Sequence, residues 1–82
     1  MTDLVKLTIK SIPNTARITL VNKDGLRCTE TGINSLYCPK YSKCRVQVRL
    51  YGYETKLMLV PLQDKDIEIT ITLNNNELNV NI

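Results

Sequence analysis

Apolar and polar residues alternate one by one along at least five segments of this sequence. In residues 67–73, isoleucine or leucine at every odd position alternates with Glu68, Thr70 and Thr72. A β-strand turns successive side chains to opposite faces, whereas a helix repeats every 3.6 residues, so this alternation predicts strands. Val, Ile and Thr supply 23 of the 82 residues and there is a single alanine, a composition that also favours strands. We therefore expect an all-β chain with no helix longer than about two turns.

Turn-forming residues separate these segments at intervals of roughly ten residues. They include Pro-Asn at 13–14, Asn-Lys-Asp-Gly at 22–25, glycine at 52, Asp-Lys-Asp at 64–66 and three asparagines at 74–76. Short strands at this spacing are typical of an antiparallel sandwich or a small barrel. We predict a single domain over residues 1–82, a small antiparallel β-sandwich (Ig-like or prealbumin-like) of six to seven short strands.

Two regions depart from this simple pattern, and a third continues it beyond the last predicted turn. Residues 26–43 are the least regular, so we predict one short strand at residues 26–29 followed by a loop. The apolar run at residues 57–60 fits a strand covered on both faces or a strand with a bulge. Residues 77–82 alternate again after the asparagines, which predicts an extra C-terminal edge strand and a place for self-association.

The apolar side of each predicted strand should face the interior, where a buried aliphatic side chain contributes about 1.5–3 kcal/mol. The expected core residues are Val5, Leu7, Ile9, Ile18, Leu20, Val46, Val48, Leu50, Ile67, Ile69, Ile71 and Leu73. Because the ordering of backbone and side chains nearly cancels this contribution, we expect modest net stability.

Two short motifs resemble the PEGA domain family. Ser-Ile-Pro-Asn-Thr-Ala-Arg-Ile at residues 11–18 is similar to that family's Ser-x-Pro-x-x-Ala-x-Val opening. Val-Gln-Val at residues 46–48, followed after three residues by Gly52 and Tyr53, resembles its Val-x-Val strand leading into Gly-Tyr. The resemblance covers residues 5–73. It implies a small β-sandwich, often a non-catalytic repeat or accessory module of bacterial envelope and surface proteins, with no shared catalytic residue.

The sequence contains no histidine. This removes His-based general-base catalysis, His-containing triads and mixed Cys/His zinc sites. Gly25, Gly32 and Gly52 fit neither the dinucleotide-binding fingerprint nor the P-loop, and there is no Gly-x-Ser-x-Gly elbow. We therefore expect no enzyme activity, no cofactor and no bound metal. No segment approaches the about 20 apolar residues that cross a bilayer, so we also expect no membrane span.

One predicted strand presents a polar face that is suited to recognition. Arg45, Gln47, Arg49 and Tyr51 lie on one side of it, and Arg17 could lie nearby across the sheet. Such a face can bind single-stranded nucleic acid. Three observations disfavour that partner. The net charge is only +3, there are only four tyrosines, and any sheet needs one solvated side. The predicted interaction surface consists of Arg45, Gln47, Arg49, Tyr51, Leu78, Val80 and Ile82.

Cys28, Cys38 and Cys44 are too few and too widely spaced for a structural zinc site. Cys38 and Cys44 flank a loop that contains a proline and could form a disulfide, and Cys28 with Cys38 is the other pairing. Either bond leaves one thiol unpaired, which is uncommon in oxidising compartments, so buried free thiols are favoured. Without a histidine partner, no cysteine is expected to be a catalytic nucleophile.

These observations predict a non-catalytic interaction or structural module that binds a protein or a cell-surface polymer, as one unit of a larger envelope protein. The alternative is a free-standing small cytosolic or phage-encoded protein that binds and blocks a host protein. A nucleic-acid-binding barrel is the third and weakest hypothesis. The expected location is the cell envelope or extracellular space for an excised module, and the cytoplasm if the 82 residues are the whole protein.

Overall fold

The computed structural model describes residues 3–75, which form two β-sheets that enclose a common core. The seven strands are β1 (Leu4–Ile12), β2 (Arg17–Asn22), β3 (Arg27–Thr31), β4 (Ile33–Pro39), β5 (Lys43–Arg49), β6 (Lys56–Pro61) and β7 (Ile67–Thr72). The three-stranded sheet has the order β4-β1-β7, and the four-stranded sheet has the order β3-β2-β5-β6. The prediction of a small all-β sandwich is confirmed. The edge strand predicted at residues 77–82 lies outside the described residues.

One strand pairing differs from the antiparallel pattern of the others. β1 pairs with β4 in the antiparallel sense but with β7 in the parallel sense, with Leu7 opposite Ile67. Parallel strands need a crossover connection between them, and the chain from β2 to β6 provides it. β1 is therefore the central strand of its sheet, paired along both sides.

The core lies between the two sheets. Its buried hydrophobic residues are Val5, Leu7, Ile9, Ala16, Ile18, Leu20, Cys38, Cys44, Val46, Val48, Val60, Leu62, Ile71 and Leu73. Of the predicted core residues, Leu50 and Ile69 are only partly buried but pack against this cluster. The prediction is wrong for Ile67, which is 38% exposed. Ile67 is the first residue of β7, which has a neighbour on one side only among the described strands, so its side chain is incompletely covered.

The loop predicted in residues 30–43 is also wrong, because residues 33–39 form β4. This strand pairs with β1 from Ile33 to Pro39, and the short strand predicted before it corresponds to β3. The inward positions of β4 carry Asn34, Leu36 and Cys38. An amide and a thiol therefore occupy positions at which the alternation pattern needs aliphatic side chains, and this hides the strand in the sequence.

Gly32 is the single residue between β3 and β4 and carries the chain from one sheet to the other. Its φ of +83° lies in the left-handed region that glycine adopts without strain. Its N–H donates to the carbonyl of Ala16 at 2.9 Å, and its carbonyl accepts from the N–H of Ser11 at 3.1 Å. A Cβ here would lie 2.5 Å from the carbonyl oxygen of Asn14. The corner therefore needs glycine for both conformation and space.

Candidate functional site

All four arginines of the chain lie on the outer face of the four-stranded sheet. Arg17 of β2 is the register partner of Arg49 of β5, and Val21 stands between Arg27 of β3 and Arg45 of β5. The alternate positions of β2 and β5 are buried, so the arginine side points away from the core. We call this surface the arginine face. It consists of Arg17, Thr19, Val21, Arg27, Thr29, Thr31, Lys43, Arg45, Gln47, Arg49, Leu57, Leu59 and Pro61.

Among the described residues, the arginine face carries positive charge without a compensating carboxylate. No Asp or Glu occupies any of its register positions. Within residues 3–75, the ion pairs join Lys10 to Glu68 and Lys40 to Asp3, and neither pair involves this face. Like charges directly opposite each other destabilise a sheet, so the cross-strand arginine pair opposes folding. A surface with this charge distribution is suited to an anionic partner.

Two exposed leucines extend the arginine face along β6. Leu57 is 68% exposed and Leu59 is 57% exposed, and their register partners are Gln47 and Arg45. Met58 between them packs against the core. The apolar run in this strand thus has neither the bulge nor the cover on both faces that was predicted, as far as the described residues show. Adjacent exposed aliphatic side chains with polar neighbours are typical of interaction surfaces.

A shallow groove lies at each end of the arginine face. The Arg17–Arg49 groove has a volume of about 510 Å³ and is lined by both arginines together with Tyr51, Tyr53 and two threonines. The Arg45 groove has a volume of about 460 Å³ and includes Lys23, Lys43 and Leu59 in its lining. Basic side chains therefore line both grooves.

Most of the predicted interaction residues come together on this surface. The predicted residues on or beside the arginine face are Arg45, Gln47, Arg49 and Tyr51. Tyr51 follows β5 and is fully exposed at the rim of the Arg17–Arg49 groove. The predicted residues that lie outside the described part of the chain are Leu78, Val80 and Ile82. The expected proximity of Arg17 to this strand is observed as a direct register pair.

Arg27, Leu57 and Leu59 are among the contributors to the arginine face that are not predicted from the sequence. The position of Arg27 could have been predicted from the tight turn at residues 22–25, because the register of that hairpin places Arg27 opposite Val21. No comparable signal existed for the leucines. An uninterrupted apolar run does not reveal which of its residues face outward.

The three cysteines are free thiols in the structure. Cys38 and Cys44 come from different sheets, are fully buried, and have interacting side chains. Burial, with a smaller effect of Cys38, raises the pKa of the Cys44 thiol to about 12, and burial also raises the pKa of Cys38. Both are protonated at neutral pH and are poor nucleophiles. The Cys28 thiol instead donates a hydrogen bond to Oδ1 of Asn34 at 3.1 Å. The contact between the Cys38 and Cys44 side chains favours this pair over Cys28–Cys38 for a disulfide, which stays a prediction.

Residues 3–75 contain no group of three or more His, Cys, Asp or Glu side chains placed to hold a metal ion. Among the residues described, no helix is long and apolar enough to cross a membrane. Comparisons with protein-family models, with curated proteins and with solved structures find no significant match.

Proposed function

We propose that this chain is a non-catalytic β-sandwich module that binds an acidic surface of a partner protein through the arginine face. The observation that carries the proposal is the convergence of all four arginines on one sheet face whose register positions hold no carboxylate. Negative charge on a partner would accelerate association and offset the repulsion between the paired arginines.

The exposed leucines favour a protein over a nucleic acid as the partner. Leu57 and Leu59 would contact apolar side chains in a protein interface, where arginine and tyrosine are also enriched. Proteins that bind single-stranded nucleic acid combine a basic groove with aromatic rings on which successive bases stack. The register positions of the arginine face hold no aromatic residue. Tyr51 and Tyr53 line the Arg17–Arg49 groove, which lies at one end of the face.

The arginine face would bind the partner in either of two settings, a unit of an envelope protein or a free-standing protein. The resemblance to PEGA domains, supported by the motifs at residues 11–18 and 46–53, points to a unit of a bacterial envelope protein. A free-standing protein that blocks a host protein is the alternative. The two settings differ in the partner, so the identity of the molecule bound at the arginine face separates them.

Site-specific photo-crosslinking in the cells that make the protein tests this proposal. A photoreactive residue replaces Thr29 on the arginine face or, as a matched control, Thr70 on the three-stranded sheet; both are exposed threonines on edge strands. We expect an adduct from position 29 that contains peptides of a second protein, no adduct from position 70, and loss of the adduct when Arg27 and Arg45 are both changed to Glu.

Four outcomes would contradict the proposal. An adduct sensitive to nuclease would identify a nucleic-acid partner, and an adduct that resists nuclease and contains no peptides of a second protein would indicate a surface polymer. Crosslinking from position 70 alone would place the binding surface on the other sheet. The absence of any adduct from position 29 would show that the arginine face has no partner in those cells.

A further inference from the structure

Arg17 and Arg49 form a two-pronged basic site at one end of the arginine face. They are register partners in the antiparallel pair of β2 and β5, and both are exposed. Residues directly opposite each other in such a pair have Cβ atoms about 4.5–5.5 Å apart. Two guanidinium groups attached at that separation on the same side of a sheet can both donate hydrogen bonds to one small anion.

The backbone that carries this pair is held in place by hydrogen bonds. Ala16, immediately before Arg17, is fully buried, and its carbonyl accepts from the N–H of Gly32 at 2.9 Å. On the other side of the groove, the N–H of Tyr53 donates to the carbonyl of Leu50 at 3.0 Å and closes the turn that follows β5. The site is therefore built on paired strands and a closed turn.

No acidic side chain neutralises the pair within the described residues. The lining of the Arg17–Arg49 groove contains hydroxyl-bearing and apolar residues but no Asp or Glu. Glu54 lies between Tyr53 and Thr55 in the sequence, yet only those two neighbours line the groove. The groove is thus lined by two positively charged residues together with the hydroxyl-bearing residues Thr15, Thr55, Tyr51 and Tyr53.

We propose that the Arg17–Arg49 groove is a binding site for a phosphate monoester carried by a phosphorylated side chain of the partner protein. The inference rests on the proposed function for the identity of the partner, but the site itself is testable alone. A phosphate monoester carries a charge of about −2 near neutral pH, which matches the two guanidinium groups, whereas a single carboxylate neutralises only one of them. Arginine forks also fit phosphate oxygens in a bidentate manner.

The test uses the purified 82-residue chain and two probes that differ in the anionic group, phenyl phosphate and benzoate. Titrations are followed through backbone amide and arginine Nε–H signals in two-dimensional NMR spectra at pH 7.5 in low salt. We expect saturable binding of phenyl phosphate, with the largest shifts at Arg17, Arg49, Tyr51 and Gly52, and weaker binding of benzoate. Arg17→Gln and Arg49→Gln should each weaken phenyl phosphate binding by about tenfold or more, because a hydrogen bond to a charged group contributes about 1.5–3 kcal/mol.

Arg27→Gln is the matched control, since Arg27 lies on the same face but does not line this groove. It should change the affinity for phenyl phosphate by less than about twofold, compared with the about tenfold loss expected at the site. Equal weakening by all three variants, or equal affinity for benzoate, would overturn the inference and show a general cationic surface. Failure to bind phenyl phosphate would also overturn it without affecting the crosslinking result at position 29. Conversely, binding of phenyl phosphate together with the absence of a crosslinked protein would support the anion site and contradict the proposed protein-binding function.

Discussion

Asn34 in β4 donates a hydrogen bond of 2.9 Å from its Nδ2 to the carbonyl oxygen of Ile18 in β2, and so connects the two sheets through the interior. The same Nδ2 donates to the carbonyl of Cys28 at 3.1 Å, and Oδ1 accepts from the Cys28 thiol. Asn34 is only 3% exposed. The amide therefore fixes the position of one sheet on the other at a point where aliphatic packing alone would let them slide.

Replacement of Asn34 should destabilise the domain. Asn34→Ala removes three hydrogen bonds and leaves buried polar groups without partners, which costs about 1–3 kcal/mol. Asn74→Ala is the matched control, because Asn74 is exposed, and it should change the free energy of unfolding by less than about 0.5 kcal/mol. Urea denaturation of both variants measures the difference. Similar midpoints for the two would mean that the amide does not hold the sheets together.

Two neighbouring residues of β5 should respond in opposite ways to substitution. Val48 is fully buried, so Val48→Asp places a carboxylate in the core without a partner and should unfold the domain. Arg49 is exposed opposite Arg17, so Arg49→Ala should cost less than about 0.5 kcal/mol and could stabilise by removing a like-charge pair. Circular dichroism and thermal melting distinguish them. A folded Val48→Asp variant would indicate the inverse strand register.

Glycine should be required far more strictly at position 32 than at position 25. Gly32→Ala would combine a left-handed conformation with a Cβ 2.5 Å from a backbone oxygen, and we expect a loss of about 3 kcal/mol or more. Gly25 has a similar φ of +92° but open space around its Cβ position, so Gly25→Ala should cost about 1–2 kcal/mol. Denaturant midpoints of the two variants test the contrast. Equal losses would show that the steric contact with Asn14 is relieved at no cost.

The buried thiols should make the domain less stable at alkaline pH. The Cys44 thiol ionises near pH 9 when unfolded but only near pH 12 when folded, so the unfolded chain releases its proton first. Stability from this group is therefore complete below about pH 9 and is lost as the pH rises toward 12. The raised pKa of Cys38 acts in the same direction.

Urea denaturation in reductant at pH 8 and pH 10 measures this dependence. We expect a smaller loss of unfolding free energy between the two pH values in Cys44→Ala than in the parent chain. Cys28→Ala, which leaves the Cys38–Cys44 contact intact, is the control and should behave like the parent. If Cys44→Ala loses as much stability as the parent, other groups control the alkaline response.

The sequence predicts the sandwich because most strands bury one face and expose the other. β5 illustrates this: Val46 and Val48 are buried, while Arg45 and Arg49 are exposed. The same reasoning fails for β4, where Asn34 satisfies its polar groups by hydrogen bonds inside the core and therefore does not follow the hydrophobic pattern. It fails for Ile67 because exposure at a sheet edge depends on neighbouring strands, which periodicity alone does not specify.

The candidate site is predicted in part for a related reason. Alternation within β5 places Arg45, Gln47 and Arg49 on one side without any knowledge of the fold. The contributions of Arg17 and Arg27 depend on which strands pair and in which register, and these are long-range properties. The alignment of all four arginines on one face is thus a property of the tertiary structure.

The parallel pairing of β1 with β7 has a consequence for how the chain reaches this structure. The N–H of Lys6 donates to Oδ1 of Asp66 at 2.9 Å, although the two residues are 60 positions apart in the sequence. The β2–β3 and β5–β6 pairings join strands that are close in the sequence, so these hairpins can form early. One side of β1 stays unpaired until β7 has been synthesised. We therefore expect the three-stranded sheet to close after these hairpins during synthesis on the ribosome, and until then the open side of β1 can pair with other chains and aggregate.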